Sequence, residues 1–108
     1  MKLSECPVRS TLDVIGGKWK PVILYHLILG KKRYSELQKL IPEASQKVMT
    51  QQLRELTRDG IILREVIPGS ITRVEYSMSK YGETLRPILA QLCQWGEKRQ
   101  KIKSPQSL

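Results

Sequence analysis

The change of hydrophobic period near residue 60 limits the possible folds of this chain more than any other feature. Up to Gly60, apolar residues recur every third or fourth position, which is the spacing of amphipathic helices. The stretch Ile61–Ile67 is rich in β-branched residues, Pro68-Gly69-Ser70 is a turn signal, and apolar and polar residues alternate within Ile71–Met78. This pattern predicts a β-hairpin, after which the helical period returns. The chain is therefore predicted to be helices, one hairpin and a last helix.

The region before residue 45 predicts three short helices. Cys6-Pro7 predicts the start of the first, because proline is favoured at the first helical position, and Gly16-Gly17 predicts its end. The second is expected from about Lys18 to Leu29. Ser35 is the predicted N-cap of the third, which Pro42 ends. The residues of the third helix predicted to face inward are Leu37, Leu40 and Ile41.

A fourth helix, from about residue 45 to residue 59, has two contrasting faces. Ser45 is its predicted N-cap, and Gly60 follows its end. One face is apolar, with Met49, Leu53 and Leu56. The opposite face carries amide and guanidinium groups from Lys47, Thr50 or Gln51, Arg54 and Arg58. Arginine pairs with guanine and glutamine pairs with adenine in the major groove of DNA, so this face suits base recognition.

The last helix, about residues 79–101, contains a conflict. Ser79 can cap it, but Pro87 lacks a backbone N–H and predicts a kink or break near Arg86-Pro87. Its apolar residues at helical spacing are Tyr81, Leu85, Ile88, Leu92 and Trp95. Residues 98–108 are basic and then polar, and are expected to fray.

The charge balance favours a polyanionic partner. The 108 residues contain 19 Lys and Arg against 10 Asp and Glu, giving a net charge of +9, and nucleic acid is the simplest partner for such a surface. The length predicts a single domain over residues 1–108. No apolar run approaches the ~20 residues that cross a bilayer, and no secretion signal is recognisable, so we expect a cytoplasmic protein without a membrane partner.

Neither catalysis nor metal binding is predicted. Cys6 and Cys93 lack zinc-ligand spacing, and Gly16-Gly17-Lys18 is followed by Trp19 where a phosphate loop needs Ser or Thr. An enzyme with Cys6 as nucleophile would need the single histidine, His26, which lies in an apolar helical stretch and is expected to be a buried or half-buried structural residue. No cofactor is expected. Trp19, Tyr25 and Tyr34 could line a small-molecule pocket, but core packing is the better interpretation.

Three consecutive helices followed by a hairpin form the winged helix-turn-helix arrangement, and the four helices predicted before this hairpin contain it. The predicted fold is therefore mainly α with a small β-hairpin (α+β). The turn Pro42–Ala44 joins the two central helices. The fourth helix is the predicted recognition helix in the major groove, and residues 61–78 are the wing on the flanking backbone. The candidate DNA contacts are Ser45, Gln46, Lys47, Thr50, Gln51 and Arg54 on the helix, Arg73 on the wing, and the basic turn with Lys31, Lys32 and Arg33. The competing interpretation is a solvated helix face.

The apolar stripe of the last helix is longer than a domain of this size needs for its own core. It predicts a homodimer, with an interface formed by Leu85, Ile88, Leu92 and Trp95. A two-fold dimer would place two recognition helices about one turn of DNA apart. The last helix is therefore a predicted dimerisation helix.

These segments together resemble the HxlR family of bacterial winged-helix transcription regulators, which is related to the MarR-type regulators. The resemblance covers roughly residues 6–96 and is carried by Cys6-Pro7, Leu12–Trp19, Arg33–Leu37, Met49–Leu56, Asp59-Gly60, Arg73–Ser77, Gly82 and Trp95. It implies a homodimer that pairs through its N- and C-terminal helices and binds palindromic or near-palindromic double-stranded DNA. Most members are repressors. A winged-helix protein-interaction module that binds no DNA is the alternative.

Cys6 is the candidate redox residue. A thiol at a helix N-terminus lies near free N–H groups, which favour the thiolate. The resemblance implies that Cys6 could sense electrophiles, quinones or hypochlorite, as several family members do through a cysteine at this position. Cys93 could be its disulfide partner or could simply pack. Cys6, too, could serve only to pack at the dimer interface. The sequence names no operator and no small-molecule effector.

Overall fold

The structure is a computed structural model that describes residue 2 and residues 5–103, apart from the side chain of residue 103. Its elements are α1 (Pro7–Ile15), α2 (Lys20–Ile28), β1 (Lys32–Arg33), α3 (Tyr34–Leu40), α4 (Gln46–Arg58), β2 (Ile62–Ile67), β3 (Arg73–Met78), a 3-10 helix (Gly82–Leu85) and α5 (Arg86–Lys103). The predicted fold class, mainly helical with a small sheet, is confirmed.

The ends of α1 and α4 follow the predicted signals. Cys6 is the N-cap residue of α1, and Pro7 is its first helical residue. The Ser45 hydroxyl accepts a hydrogen bond from the backbone N–H of Val48 at 3.1 Å, which satisfies one of the free donors at the start of α4. Gly60 has a φ of 75°, a conformation that favours glycine after a helix.

Helix α3 begins two residues earlier than predicted. Arg33 is the N-cap residue, and the backbone N–H of Arg33 donates a hydrogen bond to the Glu36 carboxylate at 2.8 Å. The predicted N-cap, Ser35, therefore lies inside the helix. Leu40 also differs from the prediction, because 46% of it is exposed, whereas Leu37 and Ile41 are buried.

The predicted break near Pro87 is confirmed. The 3-10 helix ends at Leu85, and α5 starts at Arg86, so Pro87 lies in the first turn, where no N–H is needed. Ser79 does not cap α5. Its hydroxyl accepts from the N–H of Gly82 at 2.8 Å, at the start of the 3-10 helix, whose N-cap residue is Tyr81. Helix α5 extends to Lys103, so residues 98–103 are helical where fraying was predicted. Residues 104–108 lie outside the described residues.

The sheet has a strand that the sequence did not predict. Strands β2 and β3 form the antiparallel hairpin, with Ile62 opposite Met78 and Ile67 opposite Arg73. The two-residue strand β1 pairs with the other edge of β3, giving the order β1-β3-β2. A strand of two residues is too short for a recognisable period. The pairing attaches the basic turn before α3 to the base of the wing.

The core lies between α2, α3, α4 and the inner face of the sheet. Its buried hydrophobic residues are Ile15, Ile23, Leu24, Leu27, Leu37, Ile41, Ala44, Met49, Leu53, Leu56, Ile61, Ile62, Tyr76 and Leu89. Every predicted apolar residue of the α4 stripe is among them, so this helix turns its other face to solvent. Across the described part of the chain, every helix is too short or too polar to cross a membrane.

Candidate nucleic-acid interface

The outward face of α4 is a continuous polar surface. Its exposed residues are Gln46, Lys47, Thr50, Gln51, Arg54 and Arg58, which line one shallow concave surface together with half-buried Glu55. Ser45, the remaining predicted contact on this helix, uses its hydroxyl as the N-cap. The predicted polar stripe is therefore brought together on one face.

Helix α3 holds the first turns of α4 through the Tyr34 hydroxyl. This hydroxyl donates to the backbone carbonyl of Gln46 at 3.1 Å and lies 3.1 Å from the Thr50 hydroxyl oxygen. The Gln38 side chain donates to the Ala44 carbonyl at 2.7 Å, which fixes the turn between the helices. The ring of Tyr34 packs against the core, as predicted. Its hydroxyl contacts were missed, because their partners lie 12 and 16 residues away.

An ion pair between buried Lys20 and half-buried Glu55 holds the middle of α4. The ammonium Nζ of Lys20 lies 2.6 Å from Oε1 of Glu55, and Lys20 is 8% exposed. The hydrogen bond and charge of Lys20 lower the pKa of Glu55, which therefore stays ionised at neutral pH. The other carboxylate oxygen accepts from Nε2 of Gln51 at 3.3 Å. No sequence signal had linked Lys20 to Glu55.

The wing carries a second group of cations, two of which share one carboxylate. Lys31 Nζ lies 3.6 Å and Arg73 Nε 3.2 Å from oxygens of Glu75, whose side chain is only 15% exposed. Arg33 and Arg73 line a depression with the hairpin tip, residues 67–71. The predicted phosphate contacts therefore lie together, but Glu75 offsets part of the charge of Lys31 and Arg73.

A groove between α4 and the sheet continues from the surface of α4, with which it shares Thr50, Arg54 and Arg58. Arg54, Arg58 and Arg64 line it, with Tyr34 and Tyr76 at its base. Arg58 forms an ion pair with Asp59, at 3.1 Å between Nε and Oδ1. Within the described residues, Arg54 and Arg64 form no ion pair. Their guanidinium groups are therefore available for an external anion.

Three of the four predicted interface residues on the last helix are exposed. Ile88, Leu92 and Trp95 are 43%, 51% and 68% exposed. The fourth, Leu85, lies in the 3-10 helix and is half-buried against the core of its own chain, and its place in the interface stays a prediction. A further exposed apolar pair, Val8 and Leu12, lies one helical turn apart on α1.

The two thiols have different surroundings. Cys6 is half-buried at the N-cap of α1. Nearby Arg9 pairs with Asp13, at 3.5 Å between Nε and Oδ1. The Cys93 thiol is also half-buried and donates to the Glu97 carboxylate at 3.4 Å, and this hydrogen bond raises the pKa of Cys93. The Cys93 thiol therefore holds its proton more tightly than an ordinary cysteine does.

The aromatic residues and the histidine lie mostly where predicted. Trp19 packs partly buried against the core, with the ammonium group of Lys18 4.8 Å from its ring centre. Tyr25 is 44% exposed, so its predicted core position is wrong. His26 is half-buried, as predicted, and its ring meets that of Tyr25 edge-on at 5.3 Å. Burial lowers the pKa of His26, and the charge of Lys32 adds to the effect.

Comparison with known proteins agrees with this architecture. The family described as HxlR-like helix-turn-helix matches residues 14–104. The uncharacterized HTH-type transcriptional regulator YdeP of Bacillus subtilis (strain 168) is 55% identical over 93 residues, which are 86% of this chain and 73% of YdeP.

Solved structures show the same fold. The redox regulator HypR in its oxidized form has a TM-score of 0.84 at 52% identity, covering 86% of this chain and 96% of that one. The reduced form of the transcriptional regulator YodB from B. subtilis has a TM-score of 0.74 at 29% identity, covering 93% and 96%. The chain therefore belongs to the HxlR-like helix-turn-helix family of transcriptional regulators.

Proposed function

We propose that this regulator is a homodimeric, sequence-specific repressor that binds double-stranded DNA with α4 in the major groove. The observation that carries the proposal is the exposed amide and guanidinium face of α4. That helix is held at its start by Tyr34 and in its middle by the Lys20–Glu55 pair. A recognition surface must be fixed in position before it can discriminate between bases, because base contacts depend on groove geometry.

The wing contributes affinity rather than base recognition. Arg64 lines the groove beside α4, and Arg33 lines the depression at the hairpin tip together with Arg73. These cations would contact the phosphate backbone beside the major groove, and such contacts make binding weaken with salt.

The homodimer is supported by the apolar residues that one chain leaves exposed on α1 and α5. Val8 and Leu12 on α1, with Ile88, Leu92 and Trp95 on α5, are more than 40% exposed. A two-fold pairing through these helices would bury them and place the two α4 helices for half-sites about 34 Å apart. The proposed operator is therefore a palindrome or near-palindrome.

The test is fluorescence anisotropy with labelled DNA from the region upstream of the protein's own gene. We expect tight binding that weakens steeply as salt rises. Arg54→Ala should weaken specific binding by about 5- to 150-fold, the usual range for a lost base contact. The control is Lys101→Ala, which removes an exposed cation of α5 that lies about 120° or more around the helix from Ile88, Leu92 and Trp95, and it should bind as the wild type does. Wild-type binding that never exceeds binding to unrelated DNA, including in a selection from random sequences, would favour the protein-interaction module.

The proposed repressor responds to oxidants or electrophiles through Cys6. Two observations support this: the thiol lies at the N-cap of α1, beside the free N–H groups of the first turn, and redox regulation is named for the similar structure HypR. Because α1 is a proposed dimerisation helix, modification of Cys6 would change the angle between the two α4 helices.

DNA binding before and after treatment with diamide or hydrogen peroxide tests this sensor. We expect the wild type and Cys93→Ser to lose binding on treatment and Cys6→Ser to keep it. If Cys93→Ser also becomes insensitive, the two cysteines act as a disulfide pair. Binding of the wild type that ignores the oxidant would leave the DNA-binding proposal intact and remove Cys6 as a sensor.

A further inference from the structure

A chain of polar contacts runs from the protein interior to an exposed amide on α4. Lys20, 8% exposed on α2, lies 2.6 Å from Oε1 of Glu55. Oε2 of Glu55 accepts a hydrogen bond from Nε2 of Gln51 at 3.3 Å. Gln51 is exposed and lies on the same concave surface as Gln46, Lys47 and Arg54. The contacts therefore connect a buried cation to a side chain on the proposed DNA-binding face.

The chemistry of Glu55 sets the orientation of the Gln51 amide. An ionised carboxylate can only accept hydrogen bonds, so the group that faces it must be a donor. Gln51 meets this need with its NH2 end, and its carbonyl oxygen is then turned away from Glu55. The NH2 group has two hydrogens, so one remains free after the bond to Glu55. Lys20 fixes the carboxylate itself, because one oxygen is committed to the ammonium group.

We propose that Lys20 and Glu55 are positioning residues that orient Gln51 to read an adenine, which makes Gln51 a specificity-determining residue; this rests on the proposed function. Adenine presents an acceptor, N7, beside a donor, the N6 amino group, in the major groove. An oriented glutamine matches both at once. Guanine presents N7 and O6, which are both acceptors, and leaves the Gln51 carbonyl without a donor.

Glu55→Gln is the sharpest variant. It keeps the size of the side chain, and its new carbonyl oxygen can still accept from Lys20. Its new NH2 group then faces Gln51, which must turn its carbonyl oxygen inward to accept. The variant should therefore reverse the Gln51 amide without removing it. It also deletes one negative charge from the DNA-facing surface, so binding to unrelated DNA should stay the same or become tighter.

The experiment is selection of binding sites from random DNA, followed by affinity measurements on sites that differ at one base pair. The wild type should prefer adenine over guanine at one position of each half-site by about 5- to 150-fold, as expected for a bidentate pair. Gln51→Ala should remove this preference, and Glu55→Gln should reduce it to below about threefold. The double variant should match Gln51→Ala alone, since Glu55 acts only through Gln51.

The controls separate orientation from general damage to α4. Asp59→Asn breaks the ion pair with Arg58 at the C-terminal end of α4, one turn beyond Glu55, and should leave the adenine preference unchanged. Thermal unfolding checks that each variant is folded. Lys20→Met removes the cation but keeps an unbranched side chain, and it should also reduce the adenine preference. If Glu55→Gln keeps the full adenine preference, or if Asp59→Asn loses it too, the inference is overturned while the proposed function stands. A wild type without any sequence preference would overturn both.

Discussion

Helices α4 and α5 are both amphipathic in sequence, but only α4 buries its apolar face within one chain. Met49, Leu53 and Leu56 on α4 are at most 1% exposed. On α5, Leu89 is buried at 5%, whereas Leu92 and Trp95 are 51% and 68% exposed. The same kind of pattern therefore has two outcomes, depending on what the tertiary structure places against it.

The difference indicates two roles. A helix whose apolar face is covered can be held rigidly and can present its polar face to another molecule, as proposed for α4. A helix whose apolar face stays exposed needs a partner, because contiguous apolar surface exposed to water is costly and typical of interfaces. In the proposed dimer that partner is a second copy of the chain.

The largest effect should come from matched leucine truncations in the two helices. Leu53→Ala leaves a cavity in a fully buried site and should lower the free energy of unfolding by about 2–5 kcal/mol at any protein concentration. Leu92→Ala should lower it only through the dimer, so its effect should shrink as the protein is diluted. Urea unfolding across a range of concentrations measures both. If both variants lose the same free energy of unfolding at every protein concentration, α4 and α5 do not differ in the way proposed.

The next effect tests the α5 interface directly. Trp95→Ala should raise the dissociation constant of the dimer about 30-fold or more, because large aromatic residues at the centre of interfaces contribute about 2 kcal/mol or more. Sedimentation velocity gives the dissociation constant. The control is Gln94→Ala, an exposed neighbour on the same helix that should leave it unchanged. If Trp95→Ala leaves the dissociation constant of the dimer unchanged, the interface lies elsewhere on the chain.

A smaller effect tests how α4 is anchored at its start. Ser45→Ala removes the N-cap hydrogen bond to Val48 and should lower the free energy of unfolding by about 1 kcal/mol. Ser35→Ala is the matched control, since Ser35 lies inside α3 and should change stability little. Thermal or urea unfolding distinguishes the two. An equal loss of stability in the two variants would indicate that Ser35 caps α3, as the sequence predicted.

The smallest effect concerns pH and α2, which packs against both α4 and α5. Burial lowers the pKa of His26 below its ordinary value of 6.5, so the folded chain binds this proton less tightly than the unfolded chain does. Stability should therefore be unaffected by His26 above pH 6.5 and should fall as the pH drops from there toward the folded pKa. His26→Gln should lessen that fall. The midpoints of urea unfolding at pH 8, 6.5 and 5 measure this fall in stability for both proteins. Identical pH profiles of the wild type and His26→Gln would contradict the prediction.

Local signals predicted most of the elements. The N-cap at Ser45, the break before Pro87 and the hairpin at residues 61–78 were read from neighbouring residues, and each is confirmed. Such features depend on backbone groups within a few positions, so a short window of sequence contains their cause. The amphipathic face of α4 belongs to the same class.

The sequence predictions failed for residues that could face either the core or solvent. Leu40 fits a helical period and was predicted to face inward, yet 46% of it is exposed. A period says that a face is apolar, but not which surface covers it. Lys31 and Arg73 illustrate the same limit for charge, since both pair with Glu75 beside the wing.

The sequence by itself determined the helices, the hairpin, the polar face of α4 and the family. The tertiary structure alone decided how that face is held. Lys20 meets Glu55, Tyr34 meets Gln46 and Thr50, and β1 joins β3 across separations of 12 to more than 40 residues. Local propensities carry no information about such pairs, because they form only when the core brings distant segments together and removes water from between them.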